Sequence, residues 1–331
     1  MRTLAAALAA MVLMAGVAGA EPFRVIVTDM EVPLVPNSVM ELAAREGYFD
    51  RAGVEVEFVR VQQTPMALAA LRAGEGEMAN IGVDALLQAV GQGAEDLRAV
   101  MSPNKALPYL IAARGDIDSP AALAGKRFGI GRPGSVDHLL AMRVLAAMGV
   151  DPAGLEIVAL GQPQTRGQAL VAGQIDATTL GMGSYAAIDP AAGLRVLVDV
   201  ESFYKAAPVL SKVNAVRAET LAGRGREVEA VIEAMTLAAR DFAADPARWQ
   251  AAMAKARPDV PADSLAAMAR AYAPAFTVNG GISAAELTAA EDWLRQGEDF
   301  RDLPPLPLER WVDLRPLEAV LARIGRRPGE G

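Results

Sequence analysis

The chain has 331 residues, no cysteine, one histidine and a formal charge of −8, and this length is enough for two domains of ordinary size. The acidic balance argues against a nucleic-acid partner, which requires a basic stripe. The lack of cysteine excludes a disulfide framework, a lipid-modified N-terminal cysteine, thiol catalysis and thiolate metal sites, and the lone His138 excludes a multi-histidine metal site. We therefore expect neither a metal nor a cofactor.

The first twenty residues have the features of an export signal. Arg2 supplies a positive charge, residues 4–17 form an apolar run, and Ala18-Gly19-Ala20 precedes Glu21 as a small-residue cleavage site. The run is short for a membrane span. The sequence thus predicts cleavage after Ala20 and a soluble, periplasmic mature protein without a lipid anchor. The alternative is a retained N-terminal anchor.

Strands and helices alternate over the first hundred residues of the expected mature chain. The hydrophobic patterns predict strands at 23–29, 54–61, 78–82 and 97–101, and helices at 37–46, 64–72 and 85–91. Asp84 is the expected cap of the third helix. Short connections between alternating elements imply a mostly parallel sheet that is covered by helices on both faces.

The alternation starts again after a predicted strand at 107–113. Strands are expected at 127–131, 155–160, 175–180 and 194–198, with helices or helical turns between them. Two successive α/β units of similar length suggest two lobes. A strand at 209–216 could return the chain to the first lobe. The alanine-rich helices that follow should pack on an existing lobe, because a tail without strands cannot bury itself alone.

The stretch from Lys126 to Asp151 predicts a strand, a tight Pro-Gly turn and a helix that begins at Ser135. Gly134 lets the backbone turn without a steric penalty from Cβ. The Ser135 hydroxyl is a good candidate for the helix N-cap. Such a turn before a helix N-terminus can hold a small polar ligand. The alternative is an ordinary connection between a strand and a helix.

No catalytic motif survives inspection of the sequence. GxSxG and HExxH are absent, and GIGRPGS lacks the third glycine of a dinucleotide fingerprint. Ligands of open α/β sheets bind at the carboxyl ends of the parallel strands. This rule collects the loops at 30–37, 82–85, 103–104, 131–135 and 181–185, which come from both expected lobes and would meet in a cleft.

Several side chains in these loops could contact a ligand. Arg132 could pair with a carboxylate or sulfonate, and His138 could donate or accept a hydrogen bond. Tyr109 and Tyr185 could stack on a ring or cover an alkyl chain, whereas Met182 is expected mainly to pack. The alternative for each of them is a local or packing role.

Three segments carry a family resemblance: ELAAREGYFDRAGVEVEF, LAGKRFGIGRPGSVDHLLAMRVLAAMGVDP and QALVAGQIDATTL. In this order and spacing they resemble the periplasmic solute-binding proteins of ABC transporters in the nitrate/sulfonate/taurine family, which also includes binders of thiamine precursors. The resemblance covers roughly residues 23–250. Its most telling part is the pattern AL-x-x-GQ-x-DA, from Ala169 to Ala177.

The resemblance implies an α/β, two-lobed periplasmic binding protein of type II with a helical C-terminal tail. Lobe I would comprise residues 21–107 and 213–331, and lobe II residues 108–212. The lobes would close on a ligand by hinge motion, and the liganded monomer would dock on a membrane permease. The expected ligand is an organic acid, a sulfonate or a pyrimidine-like compound.

The loops and the resemblance together give one set of expected ligand-binding residues. They are Pro36, Asn37, Asp84, Asn104, Tyr109, Arg132, Gly134, Ser135, His138, Met182, Ser184 and Tyr185.

Two acidic residues near the expected cleft bear on the ligand. Asp84 stands where relatives often carry small residues or proline, and Asp137 occupies the positive end of the helix after Ser135. Both argue against a simple sulfonate or nitrate, and Asp84 with Arg132 would suit a ligand that has a cationic or donor group and an acid group. The other functions that remain open are a ligand-binding input protein for a sensor and an enzyme on the same fold.

Overall fold

The computed structural model describes residues 21–103, 109–207, 210–295, 300 and 303–328. The predicted signal at 1–20 and the predicted ligand residue Asn104 lie outside the described residues. Within them, the chain forms two five-stranded sheets that are flanked by helices. No helix in this part of the chain has the length and apolar character needed to cross a membrane.

The first sheet contains the predicted strands of the first α/β unit. Its strands are β1 (Phe23–Val27), β2 (Val56–Arg60), β3 (Met78–Gly82) and β4 (Leu97–Met101). The helices of this unit are α1 (Val39–Arg45), α2 (Tyr48–Ala52), α3 (Thr64–Ala73) and α4 (Val83–Gly91). The predicted helix at 37–46 is a short 3-10 helix at Pro36–Ser38 followed by α1, and α2 forms where only turn residues were expected.

The second sheet repeats this arrangement. Its strands are β5 (Tyr109–Arg114), β6 (Arg127–Ile130), β7 (Glu156–Ala159), β8 (Ala177–Gly181) and β9 (Leu194–Val198). The helices are α5 (Val136–Ala147), α6 (Pro163–Val171), α7 (Met182–Ala186) and α8 (Val200–Ala206), of which α8 was not predicted. The strand order is β7-β6-β8-β5-β9, and β5 runs antiparallel to both of its neighbours. Four of its five strands run in one direction, and the antiparallel β5 makes the sheet mixed.

The predicted return strand completes the first sheet. β10 (Lys212–Arg217) lies between β3 and β4 and is antiparallel to both, which gives the order β2-β1-β3-β10-β4. The free edge of β4 is covered near the C-terminus, where Ala99 exchanges backbone hydrogen bonds of 2.8 and 2.9 Å with Trp311 and Asp313. We call the first sheet with its helices lobe I and the second lobe II.

The C-terminal tail is helical in its described residues and packs on lobe I, as predicted. It consists of α9 (Ala218–Ala244), α10 (Pro246–Ala256), α11 (Ala262–Tyr272), α12 (Ala284–Leu294) and α13 (Arg315–Ile324). α9 lies against α1, α2 and β10. Trp249 and Tyr272 of the tail are fully buried and meet edge to face, with ring centroids 5.9 Å apart.

The same ion pair recurs at the amino edge of each sheet. In lobe I the Arg24 guanidinium donates to Glu77 at 2.8 Å and to the Gly74 carbonyl at 3.1 Å. In lobe II the Arg127 guanidinium donates to Asp176 at 3.0 Å and to the Gly173 carbonyl at 2.9 Å. Both carboxylates also accept the backbone N–H of their arginine. We call each ion pair a clamp: it ties β1 to the turn before β3 in lobe I, and β6 to the turn before β8 in lobe II.

The lobe II clamp predicts a pH dependence. The hydrogen bond from Arg127 lowers the pKa of Asp176 below its ordinary value of 3.8. Because the unfolded chain binds this proton more readily, the clamp stabilises fully above pH 4 and loses its effect as the pH falls through the folded pKa. Asp176→Asn should therefore lose less stability between pH 5 and pH 3 than the wild type, measured by urea unfolding. Asp118→Asn, at an exposed carboxylate, is the control and should lose as much stability as the wild type. The prediction is contradicted if Asp176→Asn also loses as much stability as the wild type between pH 5 and pH 3.

Candidate functional site

A cavity of about 270 Å³ lies where the two lobes meet. Lobe I contributes residues from α3, the β3–α4 junction and α12, whereas lobe II contributes Tyr109 of β5 and Leu140 of α5. Leu210, Ser211 and Lys212, which lead into β10, complete the lining. Two other crevices, of about 310 and 360 Å³, are each lined by residues of a single lobe. The cavity between the lobes is therefore the candidate site.

Strand register explains why polar groups converge on this cavity. Lys212 pairs with Gly82 at the carboxyl end of β3, and Tyr109 pairs with Gly181 at the carboxyl end of β8. The antiparallel strand of each sheet thus places its first residue at the edge where the parallel strands end. The two carboxyl edges face each other, as the sequence-based rule for ligand sites expects.

Lys212 is a cation of the cavity that the sequence analysis did not select. Its ammonium donates to Thr28 Oγ1 at 2.8 Å, and Asp29 lies close enough to interact with its charge. Burial lowers the pKa of Lys212 while Asp29 opposes that shift. The sequence does show a lysine at the start of the predicted return strand. The register that places this lysine in the cleft depends on the tertiary structure, however, and could not be predicted from the sequence.

Asp84 and Asn37 lie on the same side of lobe I as Lys212. Asp84 Oδ1 is 2.2 Å from the point where a Cβ on Gly82 would be, so the carboxylate folds over that strand end. Gly82, and not Asp84, is the residue before α4, and this corrects the prediction that Asp84 caps the helix. Asn37 is buried in the turn after β1 and donates to Asn80 Oδ1 at 3.0 Å.

The turn at Gly131–Ser135 is held from within lobe II. Gly134 has a φ of +74°, which suits glycine, and its N–H donates to His138 Nδ1 at 3.1 Å. The Ser135 hydroxyl does not cap α5; it lies 2.6 Å from the Arg132 carbonyl and 2.7 Å from Asp137 Oδ1. Ser135 thus holds the predicted N-cap position, but its hydroxyl makes no bond to the first helical turn, because its oxygen accepts the Arg132 N–H at 3.3 Å instead.

The Asp137 carboxylate stabilises that turn. Its Oδ2 accepts the Gly131 N–H at 2.9 Å, and Arg166 Nη2 lies 3.4 Å from the same oxygen. The Arg166 side chain is only 4% exposed and also donates to the Thr179 carbonyl at 3.1 Å. The Asp137 carboxylate is thus engaged by groups of lobe II, and its effect on an anionic ligand stays a prediction.

Tyr109 forms the lobe II wall of the cavity. Its ring meets Phe203 edge to face at 5.8 Å between centroids. Burial and the nearby charge of Asp137 raise the pKa of Tyr109 to about 12, so the hydroxyl is protonated at neutral pH. Tyr109 can therefore donate a hydrogen bond or present an aromatic face to a bound molecule.

The turn at α7 meets lobe I directly. A Cβ on Gly183 would lie 3.5 Å from the Leu34 carbonyl oxygen of the loop after β1. The buried Tyr272 hydroxyl of α11 lies beside the Gly183 backbone. Met182, Ser184 and Tyr185 are half-buried around this contact, and burial raises the pKa of Tyr185.

The structure brings some of the predicted residues together and separates others. Asp84 and Tyr109 are the two predicted residues in the cavity lining within the described part of the chain. Pro36 and Asn37 are buried beside the lobe I wall, and Arg132 and Gly134 are exposed on their turn. Sequence reasoning missed Lys212 and the contributions of α3 and α12.

The fold is that of two-lobed periplasmic binding proteins. The aliphatic sulphonate-binding protein SsuA of Escherichia coli superposes with a TM-score of 0.68 at 19% identity, covering 88% of this chain and 92% of that one. The alkanesulfonate-binding SsuA of Xanthomonas axonopodis pv. citri, bound to MOPS, gives 0.61 at 21% identity, covering 86% and 94%. The desulfurization enzyme DszB gives 0.65 at 16% identity, covering 91% and 99%.

Sequence comparison gives the family. A search of curated proteins finds no match. The family model described as NMT1/THI5 like matches residues 37–249, which is more than half of the chain and contains the three resembling segments. The chain therefore belongs to the NMT1/THI5-like family.

Proposed function

We propose that the protein is an exported solute-binding protein that captures a small organic solute between its lobes and delivers it to an ABC-transporter permease. The observation that carries this proposal is the cavity of about 270 Å³, which both lobes line and to which the half-buried Lys212 contributes. A site that is shared between two lobes is the arrangement in which hinge closure sequesters a ligand.

The proposal includes the organisation of the chain. Residues 1–20 are a cleaved signal, lobe I comprises 21–107 and 213–331, and lobe II comprises 108–212. The mature protein is a periplasmic monomer, and ligand binding shifts its population toward a closed form. The match to the family model and the fold shared with SsuA proteins support this organisation.

The charges around the cavity suit an organic acid. Lys212 is the cationic residue among the described residues of the lining, and Arg132 lies exposed on the lobe II turn, so each can meet a carboxylate or sulfonate. Tyr109 and Trp293 can cover the organic part of the molecule. A sulfonate, a carboxylate and a pyrimidine-like compound with an acid group all fit these features.

Mass spectrometry of the solute that copurifies with the exported protein tests the proposal. We expect one small organic acid to be released on denaturation, and a screen of sulfonates, carboxylates and pyrimidines to find compounds that raise Tm. A gene neighbourhood that encodes a permease and an ATPase would support transport. A sensor kinase gene in their place, or no ligand in either measurement, would contradict the proposal.

Lys212 gives a direct prediction for the site. A charge-assisted hydrogen bond contributes about 1.5–3 kcal/mol, so Lys212→Met should weaken the best acid of the screen about 10- to 100-fold in titration calorimetry. Lys255→Met, on the exposed surface where Lys255 pairs with Glu46 at 3.1 Å, is the matched control and should bind normally. Equal affinities of the two variants would remove Lys212 from the site.

An enzyme is the second function considered, because DszB shares the fold. A cysteine-to-serine variant of that enzyme was solved with biphenyl-2-sulfinic acid, whereas this chain has no cysteine. We propose binding without turnover. Incubation of the purified protein with its bound solute, followed by mass spectrometry, should return the solute unchanged.

A further inference from the structure

The lobes touch at α7, and a tyrosine of the tail is buried at this contact. α7 of lobe II packs against α11 of lobe I. A Cβ on Gly183 would lie 3.5 Å from the Leu34 carbonyl oxygen, and the Tyr272 hydroxyl lies beside the Gly183 backbone. We call Leu34, Gly183 and Tyr272 the α7 contact. Because Gly183 belongs to lobe II and the other two residues to lobe I, the contact exists only while the lobes are together.

The Tyr272 hydroxyl is buried at this contact without a hydrogen bond. The residue is 0% exposed, and its hydroxyl has no partner in the described part of the chain. The Gly183 carbonyl accepts the Ala187 N–H at 3.2 Å within α7. Burial raises the pKa of Tyr272, so the hydroxyl keeps its proton at neutral pH. A buried hydroxyl that has given up water for no partner costs free energy, so this one destabilises the form in which the lobes touch.

The Tyr272 ring is held in place by the tail. It meets the Trp249 ring edge to face with centroids 5.9 Å apart, and both side chains are fully buried. The helices that carry them, α10 and α11, pack on each other. The hydroxyl therefore keeps its place on lobe I when the lobes move apart. α7 moves with lobe II, and water then reaches the hydroxyl.

We propose that Tyr272 opposes the approach of the lobes and thereby keeps the protein open while it holds no solute. Closing removes water from the hydroxyl and supplies no partner, so contacts with a bound solute must drive it. This inference deepens the proposed function and rests on it for the solute, but the bias toward the open form is a property of the protein without solute. A phenylalanine at this position keeps the ring and removes the cost.

Distances between the lobes test the bias without any solute. The chain has no cysteine, so cysteines at the exposed Ala187 of α7 and Ala267 of α11 can carry two spin labels. Pulsed EPR should show mainly long distances in the otherwise wild-type protein, and a ratio of short to long distances about tenfold higher in Tyr272→Phe. Tyr48→Phe is the matched control, since the Tyr48 hydroxyl donates to Asp241 at 2.5 Å within lobe I. Mainly short distances without Tyr272→Phe, or an equal ratio with it, would overturn the proposal.

Affinity reports the same bias, because the apparent affinity falls with the fraction of protein in the binding-competent form. Propanesulfonate, butyrate and 4-aminopyrimidine are the probes for titration calorimetry. Each probe that binds the wild type should bind Tyr272→Phe about tenfold more tightly and Tyr48→Phe equally well. Weaker binding by Tyr272→Phe would show that the hydroxyl holds the lobes together, which overturns the proposal. Unchanged affinity with a raised Tm of the protein without solute would also overturn it, because the hydroxyl would then be buried in the open form as well.

Failure of the proposed function gives a different result from failure of this inference. In that case no solute copurifies, no probe binds and no screened compound raises Tm. The distances that are measured without solute still decide whether Tyr272 opposes the approach of the lobes.

Discussion

Replacement of Arg166 by Met should destabilise the protein by about 3–5 kcal/mol, the cost of breaking a buried ion pair by removal of one partner. The Arg166 side chain is 4% exposed and lies against Asp137, which is 15% exposed. It also donates to Thr178 Oγ1 at 3.2 Å and to the Thr179 carbonyl at 3.1 Å. Methionine fills much of the volume but leaves the Asp137 carboxylate and these oxygens without their donor. Urea unfolding followed by circular dichroism measures the loss.

Two further variants separate the ion pair from a general effect of losing an arginine. Arg326→Met removes an arginine that is 54% exposed and pairs with the similarly exposed Glu318, and it should cost at most about 1 kcal/mol. Asp137→Asn in the Arg166→Met background should recover part of the loss, because a neutral side chain needs no buried cation. Equal losses in Arg166→Met and Arg326→Met would show that the buried pair contributes no more than a surface pair.

A second large effect is expected at Gly281. Its φ is +73°, and a Cβ there would lie 2.1 Å from the Ser102 carbonyl oxygen and 2.6 Å from Thr277 Cγ2. The first contact is with backbone, so relief requires movement of the loop away from β4. The Ser102 hydroxyl donates to the Lys212 carbonyl at 2.7 Å, which links this loop to the candidate site. Gly281→Ala should therefore cost about 3 kcal/mol from strain and overpacking together.

Gly53 provides the matched control for this substitution. Its φ is +74°, nearly the same as that of Gly281, but no atom lies within 4 Å of the point where a Cβ would be. Gly53→Ala thus reports the backbone cost alone, about 1 kcal/mol. Thermal unfolding of both variants gives the difference. If the two alanine variants have the same Tm, the close approach of Ser102 has no effect on stability.

The order of elements could be predicted because each has a local signature. Val56–Arg60 lies in a strictly alternating segment, and the small-residue turns after buried strands mark where helices begin. α2 and α8 were missed because they are short and contain few residues of the helical apolar period. The helix predicted from Asn37 begins instead as a 3-10 turn, because Pro36 and the buried Asn37 belong to the loop that meets the sheet.

The candidate site was predicted less completely than the fold. Asp84 and Tyr109 were found because each adjoins a strand end that the sequence marks. Lys212 was missed because its position depends on the antiparallel insertion of β10 between β3 and β4. The partner of Asp137 was missed for a similar reason. Arg166 is 29 residues away in the sequence and reaches it only through the packing of α6 on the second sheet.

The sequence by itself determined the class of the protein: two α/β units with a helical tail, and a family resemblance that the match over residues 37–249 confirms. These features depend on local periodicity and on motif spacing, which a single chain displays. The tertiary structure decided which charged side chains line the cavity and which are paired with another charged side chain outside it. Register and helix packing join residues that lie far apart in sequence, such as Asn37, Asn80 and Asn214, and no local pattern records those contacts.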